Sequence, residues 1–200
     1  MAVYTVSNAG GNYNTGSTWV GGVVPSTTDS IAFSSTSGNL TINVSSTCDG
    51  VNFINYTGTV TFSASLISTG TINFGSGCYN VAGSNSLVVT TTTSITSNGI
   101  AWKGNFQIAG SSQTYTLNDA MVVNGTLTIS PTTQATLSGF SLTAKGNVTH
   151  STSGNLIGTT NFVLGGTGTW NHSSTGSIYL NTNINTTGTT TFGSAVRFGT

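Results

Sequence analysis

The sequence predicts an all-β chain wound as a right-handed parallel β-helix (a β-solenoid) of about eight coils, each of roughly 20–22 residues. Three observations predict it. A five-residue motif recurs at nearly constant intervals, apolar and polar residues alternate with period two within and between the copies, and charge is almost absent.

The motif reads Gly, polar, apolar, polar, apolar. It begins at Gly38, Gly58, Gly77, Gly104, Gly125, Gly146, Gly168 and Gly188, with glycine spacings of 20, 19, 27, 21, 21, 22 and 20. Each copy alternates as a strand with one buried face does. A crossover helix would need a dozen or more residues with 3.6 periodicity, and none is visible between copies. The intervening stretches alternate again, as in Thr136–Thr143 and Ser177–Asn181. Several short strands per interval, joined by Gly, Ser, Asn and Thr turns, make one coil. The right-handed sense follows from the usual hand of parallel β connections.

Aligning the copies on their glycines separates inside from outside. The inward columns are Leu40, Val60, Tyr79, Phe106, Leu127, Val148, Trp170, Thr190 and Ile42, Phe62, Val81, Ile108, Ile129, His150, His172, Phe192. The outward columns are Thr, Asn and Gln with Cys78 among them. Stacked Thr and Asn hydrogen-bond along the axis, whereas a stacked column of like charges would repel at every step. The 27-residue interval predicts an enlarged coil at 77–104 with a protruding loop, read as a tolerated insertion ahead of a binding loop.

Residues 1–35 are expected to form an N-terminal capping segment and 36–200 the β-helix proper. Solenoids must cover their terminal coils. Trp19 is placed over the open core, Pro25 in the turn, and Asp29 on turn amides; a sugar-binding Trp is the alternative. No matching C-terminal cap is evident, which suggests a segment of a longer assembly.

Composition excludes several functions. Only 3% of residues are charged and the net charge is zero, against about 25% charged in ordinary domains. No basic patch exists for nucleic acid, and no apolar run is long enough to insert in a membrane. The first residues lack a basic and an apolar signal region. Cys48 and Cys78 have no metal-ligand spacing around them and read as free core thiols.

The opening Trp19-x-Gly21-Gly22-x-x-Pro25-x-x-x-Asp29-x-Ile31-x-Phe33, followed by coils of the Gly38-Asn39-Leu40-Thr41-Ile42 type, resembles the β-helical repeat proteins of phage virions, especially tail fibres and spikes. It is also similar to secreted bacterial adhesins of the autotransporter kind. The resemblance implies a structural or host-attachment protein located in a virion, or on a cell surface in the second case. It carries no catalytic residue over to this chain.

The chemistry in the sequence is sparse. There is no Glu, and the three acids are Asp29, Asp49 and Asp119. Their offsets from the motif glycines place them on different faces, several coils apart, so no carboxylate pair for glycan cleavage is expected within one subunit, a site shared between subunits being the alternative. His150 and His172 share the fifth position of adjacent copies. They read as a stacked polar pair in the core, with a two-histidine metal site as the alternative, lacking a third ligand. No cofactor is expected. The function expected is a non-catalytic fibre or spike module that self-associates, as a homotrimer or a longer fibre, and presents a hydroxyl-rich surface to host glycans. The alternatives are an adhesin segment, a purely architectural virion subunit, and an ice-binding solenoid suggested by Thr59/Thr61, Thr126/Thr128 and Thr189/Thr191.

Overall fold

The computed structural model describes residues 1–75, 80–150, 152–172 and 175–185. Every inter-strand ladder within them is parallel; one isolated antiparallel bridge, Val6 to Trp19, is the exception. The chain is a parallel β-solenoid of about seven turns.

Three faces recur in chain order. Face I runs from Val3–Thr5 through Ser30–Ala32, Val51–Asn52, Ile72–Asn73, Thr93–Thr96 and Gln113–Leu117 to Gln134–Gly139 and the start of Asn155–Leu164. Face II begins as Gly11–Asn12, Leu40–Ile42, Thr59–Phe62 and Asn80–Gly83. It resumes as a separate ladder from Ala101–Trp102 through Met121–Val123 and Leu142–Ala144 to the second half of Asn155–Leu164. Face III runs from Ser46–Cys48 through Leu66–Ser68, Ser86–Val89, Asn105–Ile108, Leu127–Ile129 and Val148–His150 to Trp170–His172.

The motif copies therefore lie on two faces. Those at Gly38 and Gly58 sit on face II, whereas those at Gly104, Gly125, Gly146 and Gly168 sit on face III. Leu40 stacks on Val60, and Val60 on Val81. Phe106 instead continues the column Ser46, Leu66, Leu87. Val81 thus faces Val60 rather than Phe62, a correction to the glycine alignment. Tyr79, Cys78, Thr190 and Phe192 lie outside the described residues.

This register removes the enlarged coil expected at 77–104. Across it the steps are ordinary: Val60 to Val81, Leu66 to Leu87, Leu87 to Phe106 and Ile72 to Ile95. The long glycine interval is one ordinary coil plus the offset from face II to face III. Nor does the Thr90–Thr93 run protrude: Thr91 and Thr93 donate their hydroxyls to the carbonyls of Thr69 and Gly70 one coil below. The expanded coil is the first, where Val3 pairs with Ser30 and Gly11 with Leu40.

The inward columns fill the lumen. Leu40, Ile42, Val60, Phe62, Phe106, Ile108, Leu127, Ile129, Val148 and Trp170 are all buried, and Leu127 lies in register with Val148. A string of rings runs along the N-terminal half. Phe33 stacks on Phe53 at 4.8 Å, and Phe74 on Trp102 at 4.9 Å and 17°.

The turns are held by glycine and asparagine ladders. A Cβ on Gly125 would lie 2.2 Å from the Gly104 carbonyl oxygen, and one on Gly146 would lie 2.3 Å from that of Gly125. Real Cβ atoms do not approach backbone so closely, so the motif glycine is a stacking requirement. Asn105 ties three coils together: its Oδ1 accepts from Thr126 N at 2.9 Å and its Nδ2 donates to Ser84 O at 2.8 Å. Asn39 and Asn147 accept from Thr59 N and Thr169 N in the same way. Asn105→Ala is expected to lower stability by about 1–2 kcal/mol, the effect of losing two hydrogen bonds at a partly buried corner; urea unfolding against the native chain measures it.

Candidate functional site

The first coil closes the N-terminal end. Ala2 and Val6 direct their backbone groups to the strand Ser30–Ala32, so Thr5 and Ser7 point the other way. There Val20 N donates to Thr5 O at 2.9 Å, and Ser7 N donates to Thr18 O at 2.8 Å. The segment around Trp19 thus covers the free edge of the first strand. Trp19 is buried, donates Nε1–H to Tyr13 O at 2.8 Å and meets the Tyr13 ring edge-on at 5.2 Å. Pro25 is also buried. Face III has no strand in this coil, and Ser46–Cys48 ends its ladder.

Asp29 locks the same segment. Its carboxylate accepts from Ala2 N at 2.8 Å, Ser26 N at 3.0 Å and Ser26 Oγ at 2.6 Å. These bonds, with the Ser26 hydroxyl foremost and the chain's amino terminus adding to them, hold its pKa below the usual 3.8. The carboxylate is therefore favoured in the folded state. The stability it contributes is present above the ordinary carboxylate value and is lost as pH falls through the lowered folded value. Asp29→Asn is expected to flatten the acid limb of a melting-temperature profile below about pH 4 and to leave the neutral limb nearly parallel to that of the native chain.

Asp29 and Asp49 are brought together, contrary to the expectation that the acids lie on different faces several coils apart. Asp49 N donates to Asp29 O at 2.9 Å, and Ser30 Oγ donates to Asp49 Oδ2 at 3.1 Å. They are neighbours in one column because a step of about 20 residues is one coil. The glycine-based offsets missed this, since the two acids precede face I strands. Asp49 lines an open groove of about 280 Å³ with Val3, Ser30, Asn52, Thr71 and Asn73. A general acid for glycan cleavage needs a raised pKa, and Asp29 is held in the opposite direction. Asp119 lies elsewhere, fixing the turn at Ser97 and Asn98 through both backbone amides at 2.6 Å.

His150 and His172 form the most polar point of the core. They are in register, buried, with rings 4.8 Å apart and Nδ1 to Nδ1 at 3.1 Å. His150 Nε2 lies 2.8 Å from Gly154 O. A carbonyl only accepts, so His150 carries its proton on Nε2, its Nδ1 is an acceptor, and His172 donates from Nδ1. Burial, with the neighbouring His172 adding to it and the Gly154 carbonyl opposing it, holds His150 below the ordinary imidazole pKa. The two rings form one buried hydrogen-bonded unit. No third His, Cys, Asp or Glu joins it among the described residues.

Cys48 is buried and free, its thiol pushed up to about 12 by burial and by Asp49, so it is inert as a nucleophile at neutral pH. All three tryptophans are buried; among the described residues the exposed aromatic rings are Phe140 and Tyr179. Phe140 was not among the binding candidates the sequence offered, although Gly139-Phe140-Ser141 at a strand end was a signal. Gly139 has φ +92°, which turns the chain there. Among the described residues no helix is long and apolar enough to cross a membrane. No family model, curated protein or solved structure matches this chain.

Proposed function

We propose that the chain is a non-catalytic attachment module of a virion fibre or spike, holding a hydroxyl- and amide-rich surface rigid for a host glycan. One observation carries the reading. The outward columns are in-register ladders of uncharged hydrogen-bonding side chains, such as Thr41 on Thr61 and Gln107 on Thr128 and Thr149. Sugars are bound by such groups together with an apolar ring face, and exposed rings stand on the neighbouring face I, Tyr179 within it and Phe140 at its edge.

A glycan array probed with the intact chain tests it. Selective retention of one glycan class is expected, weakened about tenfold by Phe140→Ala or Tyr179→Ala, the equivalent of about 1.4 kcal/mol. A blank array would leave the purely architectural role as the better reading.

A further inference from the structure

Both lysines of the chain lie on one corner, between faces II and III. Trp102, Val123 and Ala144 are stacked in register, so the next residues, Lys103, Asn124 and Lys145, form one exposed column. The two lysines are two coil steps apart, about 10 Å. Beside them runs the glycine column Gly104, Gly125, Gly146 and Gly168; a Cβ on any of the last three would strike the carbonyl of the glycine below, and one on Gly104 would strike the Val81 side chain. Beyond it stand Asn105, Thr126 and Asn147. The Lys145 end of this corner borders an open trough of about 420 Å³, lined by Asn124, Lys145, Asn105, Asn147 and Thr167; Lys103 stands one coil beyond it in the same column as Asn124 and Lys145. The described acids belong to other columns: Asp29 and Asp49 to the first coils of face I, and Asp119 to the Ser97 turn.

We infer that this corner binds an acidic polysaccharide, with Lys103 and Lys145 meeting carboxylates one disaccharide apart and the Asn124 and Asn147 amides meeting the hydroxyls between. This rests on the glycan-attachment reading and narrows its substrate class. Two lysines in one column, two coil steps apart, favour a polymer whose charge repeats at about that interval. They are too few for nucleic acid, which engages many more cations.

Affinity electrophoresis and calorimetry with the intact chain test it, using four polymers: hyaluronan oligosaccharides (carboxylate on alternate sugars), polygalacturonate (on every sugar), neutral dextran and poly(glycerol phosphate). Hyaluronan is expected to bind best, with affinity falling as salt rises. Lys103→Gln and Lys145→Gln should each weaken it about tenfold, and the double variant should abolish it. Both residues are exposed, so unchanged melting temperatures will show that folding is intact. Equal binding by the double variant, equal binding of dextran, or tighter binding of poly(glycerol phosphate) overturns the assignment. Failure of all four polymers while the array still retains a neutral glycan sinks this inference alone; failure of both sinks the attachment reading too.

Discussion

Trp102→Ala is expected to lower stability by about 3–5 kcal/mol, the range for removing a fully buried aromatic side chain. In a chain of this length that corresponds to a fall in melting temperature of roughly 6–20 °C. Trp102 is completely buried where the two ladders of face II meet. Its indole stacks on Phe74 at 4.9 Å, meets Phe62 edge-on at 5.9 Å and reaches Phe53 at 5.8 Å. Nε1–H donates to Asn105 O at 3.1 Å. Three coils lean on one ring at the place where hydrogen bonding between them is interrupted. Trp102→Phe retains the stacking and loses the donor, so it should recover more than half of the loss. Thermal unfolding followed by far-ultraviolet circular dichroism separates the two variants. A melting temperature for Trp102→Ala within about 2 °C of the native value, the shift expected for less than 1 kcal/mol, would refute the central packing role of this indole.

The histidine pair should show a different signature, in which two substitutions cost less than one. His150→Ala removes the acceptor for His172 Nδ1–H and the donor to Gly154 O. It also leaves a cavity beneath Trp170–His172, and is expected to cost about 2–4 kcal/mol. Replacing both by Leu removes donor and acceptor together and continues the column of Ile108 and Ile129. That double variant should cost about 1–2 kcal/mol, less than His150→Ala, since the His–His bond goes with both its partners while the buried Gly154 carbonyl still loses its donor. The pH dependence differs as well. A histidine whose folded pKa is lowered contributes nothing against stability above its unfolded value of about 6.5. As pH falls from there through the lowered folded value, the unfolded chain takes up the proton first and stability declines. The native chain should therefore lose stability as pH falls below about 6.5, and the double Leu variant should not show that loss. Additive losses in a double-mutant cycle would refute the coupling.

The coil was legible because stacking in register is a property of sequence: Leu127 and Val148 share a motif position and meet in the structure. The inward set was legible for the same reason, down to the two histidines. The face was not. A five-residue alternating motif looks the same on any side of the prism, since strand alternation reports only inside and outside. Copies from face II and face III were therefore strung into one column, and the false enlarged coil followed. The acids failed for a related reason, because distance from a motif glycine has meaning only when both glycines lie on one face. The covering of the first strand by Thr18–Val20 was not legible, since it depends on which way backbone groups point, which side chains do not reveal.

The regular step between coils has a genetic corollary. Removing residues 127–147 would bring Phe106 against Val148 and Gln107 against Thr149, the partners they would have had one turn further on. Loss or duplication of that many codons shortens or lengthens the rod and leaves every remaining column matched, whereas deleting one codon within a strand reverses which of its side chains face the lumen. Length in this molecule is thus a variable that whole-turn changes adjust freely, and single-residue changes cannot.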